Sequence, residues 1–282
     1  MSAFIAALPM YDWPERRTEV DAEWAAIRDR LRVTGVDAPD TLTRDFDDIH
    51  ELWRRPNLLF AQTCWGPMEQ GLAEHVTVLG QQNYDGVEGG QDEFYSSAIV
   101  MRRVDLNDRP PSVLPDISPS RGEICQSSAS KLPISPLEGE MSGRTEGGGL
   151  KQSTNLPLDL LRNARLAYNS DDSMSGIIGL TRDLAALGES LDIFSDRNES
   201  GGHRLSIRMI AEGRADVAAI DCMSWALAQQ YEPAANDLAV VGWTARRKGL
   251  PFITAKATPV AMISMLQDAL GPLAAGSTRR VT

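Results

Sequence analysis

Apolar residues recur along this chain in two patterns: short unbroken runs, and longer stretches in which they stand three or four positions apart. The runs read as strands buried on both faces, and the wider spacing reads as helices with one inward stripe. The run 4–8 is the first strand, stopped by Pro9. Val20, Trp24, Ile27 and Leu31 then mark a helix, with Gly35 as its left-handed stop. A short helix around Ile49, Leu52 and Trp53 ends at Pro56, and strand runs follow at 58–61, 75–79 and 96–101.

After a break the alternation resumes. A strand at 164–168 precedes a helix at 176–187, a strand at 190–194 and a helix at 203–212 stopped by Gly213. A strand at 217–220, a helix at 225–230 and strands at 238–243 and 251–254 complete the series. Thr258 and Pro259 read as the cap and first residue of a last helix, with Ile263, Leu266 and Leu270 facing inward. Alternating strands and helices predict an α/β protein with mainly parallel sheets flanked by helices. A chain of 282 residues is long enough for two such units.

The break spans 107–154, where 21 of 48 positions are Pro, Gly or Ser and none is aromatic. Such a composition cannot build a core, so the segment is expected to be a disordered inserted loop without chemistry. Its stretches ISPSRGEI and KLPISPLEGEMSGRTEGGG resemble translated palindromic repeat elements that some bacterial genes carry in frame. A natural linker is the other reading.

Charge narrows the function. With 28 basic against 39 acidic side chains, the net charge of −11 leaves no basic stripe for nucleic acid. An anion site on such a chain has to rely on helix dipoles and hydrogen bonds. Cys64, Cys125 and Cys222 contain no C-x-x-C spacing, so neither a disulfide framework nor a zinc site is expected, and no cofactor fingerprint is present. The first fifteen residues lack a basic stretch ahead of their apolar run, and nothing approaches the roughly 20 apolar residues of a membrane span. A soluble chain without membrane insertion is expected, and with no export signal read in these residues the expectation from the sequence as given is cytoplasmic.

In open α/β sheets ligands bind beyond the carboxyl ends of the strands, and four such ends here are polar. They carry Tyr11, then Gln62 and Thr63, then 169–176, then Asp221. Ser173, Met174, Ser175 and Gly176 open a helix, where backbone N–H groups and two hydroxyls can bind an anion; Ser173 is equally able to be a simple cap. His203 follows two glycines at another helix start, as an oxyanion donor or a surface histidine. Asp221 reads as a ligand acceptor or a helix cap, and Tyr11 as a ligand contact or interlobe packing.

In order along the chain, LPMYDWPE, LLFAQTCWGPM, YSSAIVMRR, LAYNSDDSMSG, SGGHRLSIRMIAEGRADVAAIDC and LPFITA resemble the phosphate and phosphonate substrate-binding proteins of ABC transporters. The resemblance implies a two-lobed fold of the type II periplasmic-binding-protein kind, with a ligand cleft between the lobes. Residues 1–102 with 245–282 are expected to form one lobe and 160–240 the other. It implies that Ser173, the Met174 backbone, Ser175, Gly176 and His203 hold a small oxyanion, that Asp221 and Tyr11 line the cleft, and that Gln62 and Thr63 contribute. The partners implied are that oxyanion and an ABC permease; the loop 86–90 departs from the resemblance. The alternative is a cytosolic enzyme or sensor on the same fold, similar to menaquinone- or pyrimidine-biosynthesis proteins, or the product of a decayed gene. Against an enzyme, the chain contains no G-x-S-x-G, H-E-x-x-H or Walker loop.

Overall fold

A computed structural model describes residues 3–107 and 155–274. The segment expected as an insert at 107–154 therefore lies outside the described residues, apart from residue 107. The strands in chain order are β1 (Ile5–Ala7), β2 (Leu58–Gln62), β3 (Val76–Gln81), β4 (Gly90–Gln91), β5 (Phe94–Tyr95), β6 (Ser97–Arg102), β7 (Arg165–Tyr168), β8 (Asp196–Glu199), β9 (Val217–Asp221), β10 (Leu238–Trp243), β11 (Arg247–Lys248) and β12 (Pro251–Ala255). The helices are α1 (Arg17–Val33), α2 (Ile49–Trp53), α3 (Trp65–Glu69), α4 (Arg103–Asn107), α5 (Leu158–Leu161), α6 (Gly179–Ala186), α7 (His203–Ala211), α8 (Cys222–Tyr231) and α9 (Val260–Leu270).

The first lobe is built on a sheet ordered β1-β2-β12-β3. The stripe Val20, Trp24, Ile27 and Leu31 packs α1 on one face of it, beside Leu266, Ala269 and Leu270 of α9. Trp24 is 1% exposed and stacks on Phe60, so truncating it to Ala should cost about 3–5 kcal/mol. The other face is covered by Leu52 and Trp53 of α2 and Met68 of α3. Pro259, not Thr258, is the cap of α9, and the Thr258 hydroxyl instead meets that of Thr254 at 2.8 Å.

The second lobe is built on a sheet ordered β10-β6-β9-β7-β8. Its strands alternate faces with period two. Ile99, Met101, Val217 and Ala219 meet Leu180 and Leu184 of α6, whereas Ala98, Val100, Ala218 and Ile220 meet Ile207 and Ile210 of α7 and Trp225 of α8. Burial on both faces is why these strands read as unbroken apolar runs.

Three features differ from the sequence expectation. The sheets are mixed: β1–β2, β7–β8 and β7–β9 are parallel, but β2–β12, β3–β12, β6–β9 and β6–β10 are antiparallel. The strand at 96–101, grouped with the first lobe, pairs inside the second sheet. Both follow from the chain passing twice between the lobes, so that β6 and β12 enter their sheets from the far side without a helical crossover. Finally, the strand expected at 190–194 is a tight turn at Leu191–Ile193, closed by the Ser190 hydroxyl accepting from the Asp192 N–H; the strand is β8, just beyond it.

The two passages run side by side as a small sheet ordered β11-β5-β4. Gly249 permits this, because a Cβ there would meet the Tyr84 ring at 2.2 Å. Tyr84 stacks on Tyr95 at 5.4 Å, and Tyr11, Cys222, Leu227 and Leu250 complete an apolar cluster joining the lobes. The carboxyl ends of β1, β2, β7, β8 and β9 lead into the segments around one interlobe cavity. Among the described residues, no helix is long and apolar enough to cross a membrane.

Candidate functional site

A cavity of about 430 Å³ lies between the lobes, and Tyr11, Ser173, Ser175, His203 and Asp221 all line it. Ser173 and Ser175 are placed by the turn after β7. Ser173 caps the Met174–Ile178 turn that leads into α6, accepting the Gly176 N–H at 3.0 Å. Gly176 is required there, since a Cβ would meet Asn169 Oδ1 at 2.2 Å. His203 is the first residue of α7, behind Gly202, which has no side chain to cap the helix. Asp221 ends β9 and caps α8 by accepting the Ser224 N–H at 3.0 Å.

These groups form one continuous network. Ser173 Oγ and Ser175 Oγ are 3.3 Å apart, and Ser175 Oγ lies 2.8 Å from His203 Nε2. His203 Nε2 is in turn 3.4 Å from Asp221 Oδ2. The Tyr11 hydroxyl donates to Asp221 Oδ1 at 3.0 Å. Its single proton being spent there, the Tyr84 hydroxyl 3.0 Å away is the donor to Tyr11, and it accepts the Leu250 N–H. The network thus starts on the second lobe and ends on the first.

Burial sets its electrostatics. It pushes the His203 pKa below the ordinary imidazole value against the opposing pull of Asp221, so the ring is neutral at pH 7. Burial, then the Asp221 charge, raises the Tyr11 pKa well above the usual phenol range, so the hydroxyl remains a donor. The Asp221 carboxylate beside Nε2 favours the tautomer with the proton on that nitrogen. Ser175 accepts from His203 in this arrangement, and an anion oxygen entering beside the pair takes the Nε2–H and the Ser175 O–H together. His203 Nδ1 is buried without a partner.

Other expected site residues fall elsewhere. Gln62 lines a separate cavity of about 630 Å³ on the other side of Tyr11, and its amide donates to Gln82 Oε1 at 3.0 Å. Thr63 is fully buried, its hydroxyl unpartnered and not part of either cavity wall. The Met174 N–H is directed at Cys64 Sγ, 3.4 Å away on the first lobe, and the Met174 side chain lies near Arg182. The Gly176 N–H is engaged by Ser173, so neither amide is presented to the cavity.

The structure also adds residues. His50 lines the cavity with Nε2 3.3 Å from Asp172 Oδ2 of the opposite lobe, a pairing invisible in sequence because its own helix gives no hint of it. Asn169, in the polar stretch after β7, lines the cavity with its Oδ1 unpartnered. Arg204, next to His203, is bound to Glu15 and Glu232 and lies 4.6 Å over the Trp13 ring. Among the described residues no group of His, Cys, Asp and Glu could hold a metal ion.

Solved structures share this architecture. PhnD1 from Prochlorococcus marinus in complex with methylphosphonate is 16% identical, with a TM-score of 0.61 over 95% of this chain and 82% of that one. A binding-protein component of an ABC phosphonate transporter from Pseudomonas aeruginosa is 13% identical, with a TM-score of 0.58 over 94% and 73%. XAC2383 from Xanthomonas citri, bound to chloride, is 16% identical, with a TM-score of 0.57 over 95% and 83%. At these identities the likeness shows the two-lobed periplasmic-binding-protein fold. No curated protein matches the chain in sequence. The profile of one family does match, over residues 15–280, and by it this chain belongs to the phosphonate periplasmic substrate-binding proteins of ABC transporters.

Proposed function

We propose that the interlobe cavity captures a phosphonate, with the oxyanion held by Ser173, Ser175, His203 and the uncapped start of α7, and that the loaded protein is presented to an ABC permease without chemical change to the ligand. The observation that supports this most is the Ser175–His203–Asp221–Tyr11 network, which puts neutral donors on one lobe and ties them to the other. The positive end of the α7 dipole adds to those donors, which suits a cavity in which Arg204, the one arginine lining it among the described residues, is already neutralised by two glutamates.

Asp221 defines the protonation state of the ligand. Among the described residues its Oδ2 has only the 3.4 Å contact with His203, so a ligand P–OH is the donor that completes it. The site therefore takes a phosphonate as its monoanion. The proposed lobes are those expected from sequence with β6 moved to the second, and closure of the two on the ligand creates the surface the permease recognises. Gln62 and Thr63 contribute from behind the cavity wall: the Gln62 amide donates to Gln82 and the Thr63 N–H to the Pro251 carbonyl at 3.0 Å, which holds the strand end that carries Cys64.

Titration calorimetry with methylphosphonate and methylsulfonate tests the reading. Methylphosphonate should bind at least tenfold more tightly, because a sulfonate has no proton to give Asp221. Equal affinities would contradict the role given to Asp221, and no binding of either would contradict the oxyanion reading.

A further inference from the structure

The two lobes contribute opposite chemistry to the cavity. Every described residue lining it from the second lobe is polar or glycine, from Asn169 through Ser224. The first lobe, beside Tyr11, His50 and Cys64, supplies the apolar Met10, Trp13, Ile49, Trp53, Pro67 and Leu250. From these we infer that this protein selects phosphonates carrying an apolar organic group of several carbons, with the oxyanion on the second lobe and that group against Met10, Trp13 and Ile49. The inference rests on the oxyanion reading above and specifies the substrate class of the same site.

Size supports it. At about 30 Å³ of liquid volume per water molecule, a cavity of about 430 Å³ has room for about fourteen waters, and a five-heavy-atom oxyanion fills a minor part of that. The volume falls in the range of sites for organic ligands. The apolar wall is also held in place before any ligand arrives. Trp53 donates its indole N–H to the Gln62 carbonyl at 3.1 Å and takes the His50 ring edge-on at 5.3 Å. Trp13 is fixed beneath the Arg204 guanidinium. A rigid wall costs little ordering on binding, so contact with it converts efficiently into affinity.

Charge points the same way. Asp172 and Asp221 both line the cavity and Arg204 is neutralised, so Coulomb attraction contributes little toward holding an anion. Apolar burial is then the term that separates one phosphonate from another.

Titration calorimetry with inorganic phosphate, methylphosphonate, propylphosphonate and phenylphosphonate tests the inference. Affinity should rise about fourfold for each added methylene between methyl and propyl, the fold-change equivalent to about 0.8 kcal/mol of burial, with inorganic phosphate weakest. Met10→Ser and Ile49→Ser should each reduce that gain, with thermal melts confirming that the variants are folded. Affinities that stay flat or fall with chain length, or phosphate binding best, would overturn the inference while leaving the oxyanion site intact. No binding of any of the four would overturn both.

Discussion

The Tyr11 hydroxyl meets the Asp221 carboxylate at 3.0 Å across 210 residues of sequence, and this bond couples the lobes at the floor of the cavity. Tyr11 is 7% exposed and receives a second hydrogen bond from Tyr84. Neither residue could be replaced by an apolar one without orphaning a buried partner.

Tyr11→Phe keeps the ring and removes the hydroxyl, leaving Asp221 Oδ1 with the Ser224 N–H alone. A hydrogen bond to a charged group contributes about 1.5–3 kcal/mol, and losing this one frees Asp221 from its place beside His203, so phosphonate affinity should fall by about tenfold or more. Calorimetry on this variant checks it, with circular dichroism confirming the fold. Unchanged affinity would mean that the bond only packs the interface.

The neutral His203 predicts a pH dependence. Its folded pKa is depressed by burial, so on acidification the unfolded chain takes up the proton first. The stability tied to a neutral ring is complete above the unfolded value of about 6.5 and is lost as pH falls below it. Thermal melts between pH 5 and 7.5 should show wild type losing stability more steeply than His203→Gln in the acid half. Parallel curves would contradict the assignment.

Gly66 of α3 touches the second lobe at backbone level: a Cβ there would lie 1.6 Å from the Asp172 carbonyl oxygen. Gly66→Ala should force the lobes apart while leaving both cores intact. Scattering should report a larger radius of gyration, and phosphonate affinity should fall at least tenfold. An alanine variant that binds like wild type would show that the contact is not needed for capture.

The extent to which these features were legible in sequence follows from how local their causes are. The α1 stripe was readable because its four buried residues face one sheet, and all four are in the first core. Ser173, Ser175 and Asp221 are readable because each stands at or just beyond the end of an apolar strand, and His203 because two glycines precede it at a helix start. By contrast, nothing in the run at 96–101 says which sheet it joins, since a strand buried on both faces carries no address. β8 was missed because Asp196–Glu199 is a polar edge strand, held by pairing with β7 and not by an apolar face. His50 is not legible for the same kind of reason: its partner Asp172 is brought to it only by the contact between lobes.

The central claim is that Ser175 and His203, 2.8 Å apart on the second lobe, hold the oxyanion. The most direct test is titration calorimetry of methylphosphonate against wild type, Ser175→Ala and His203→Ala. Hydrogen bonds to a charged group contribute about 1.5–3 kcal/mol each, so each variant should bind about tenfold to a hundredfold more weakly while melting cooperatively. Both variants binding like wild type would contradict the account, and Ser173 and Ser175 would then be only the cap of a helix.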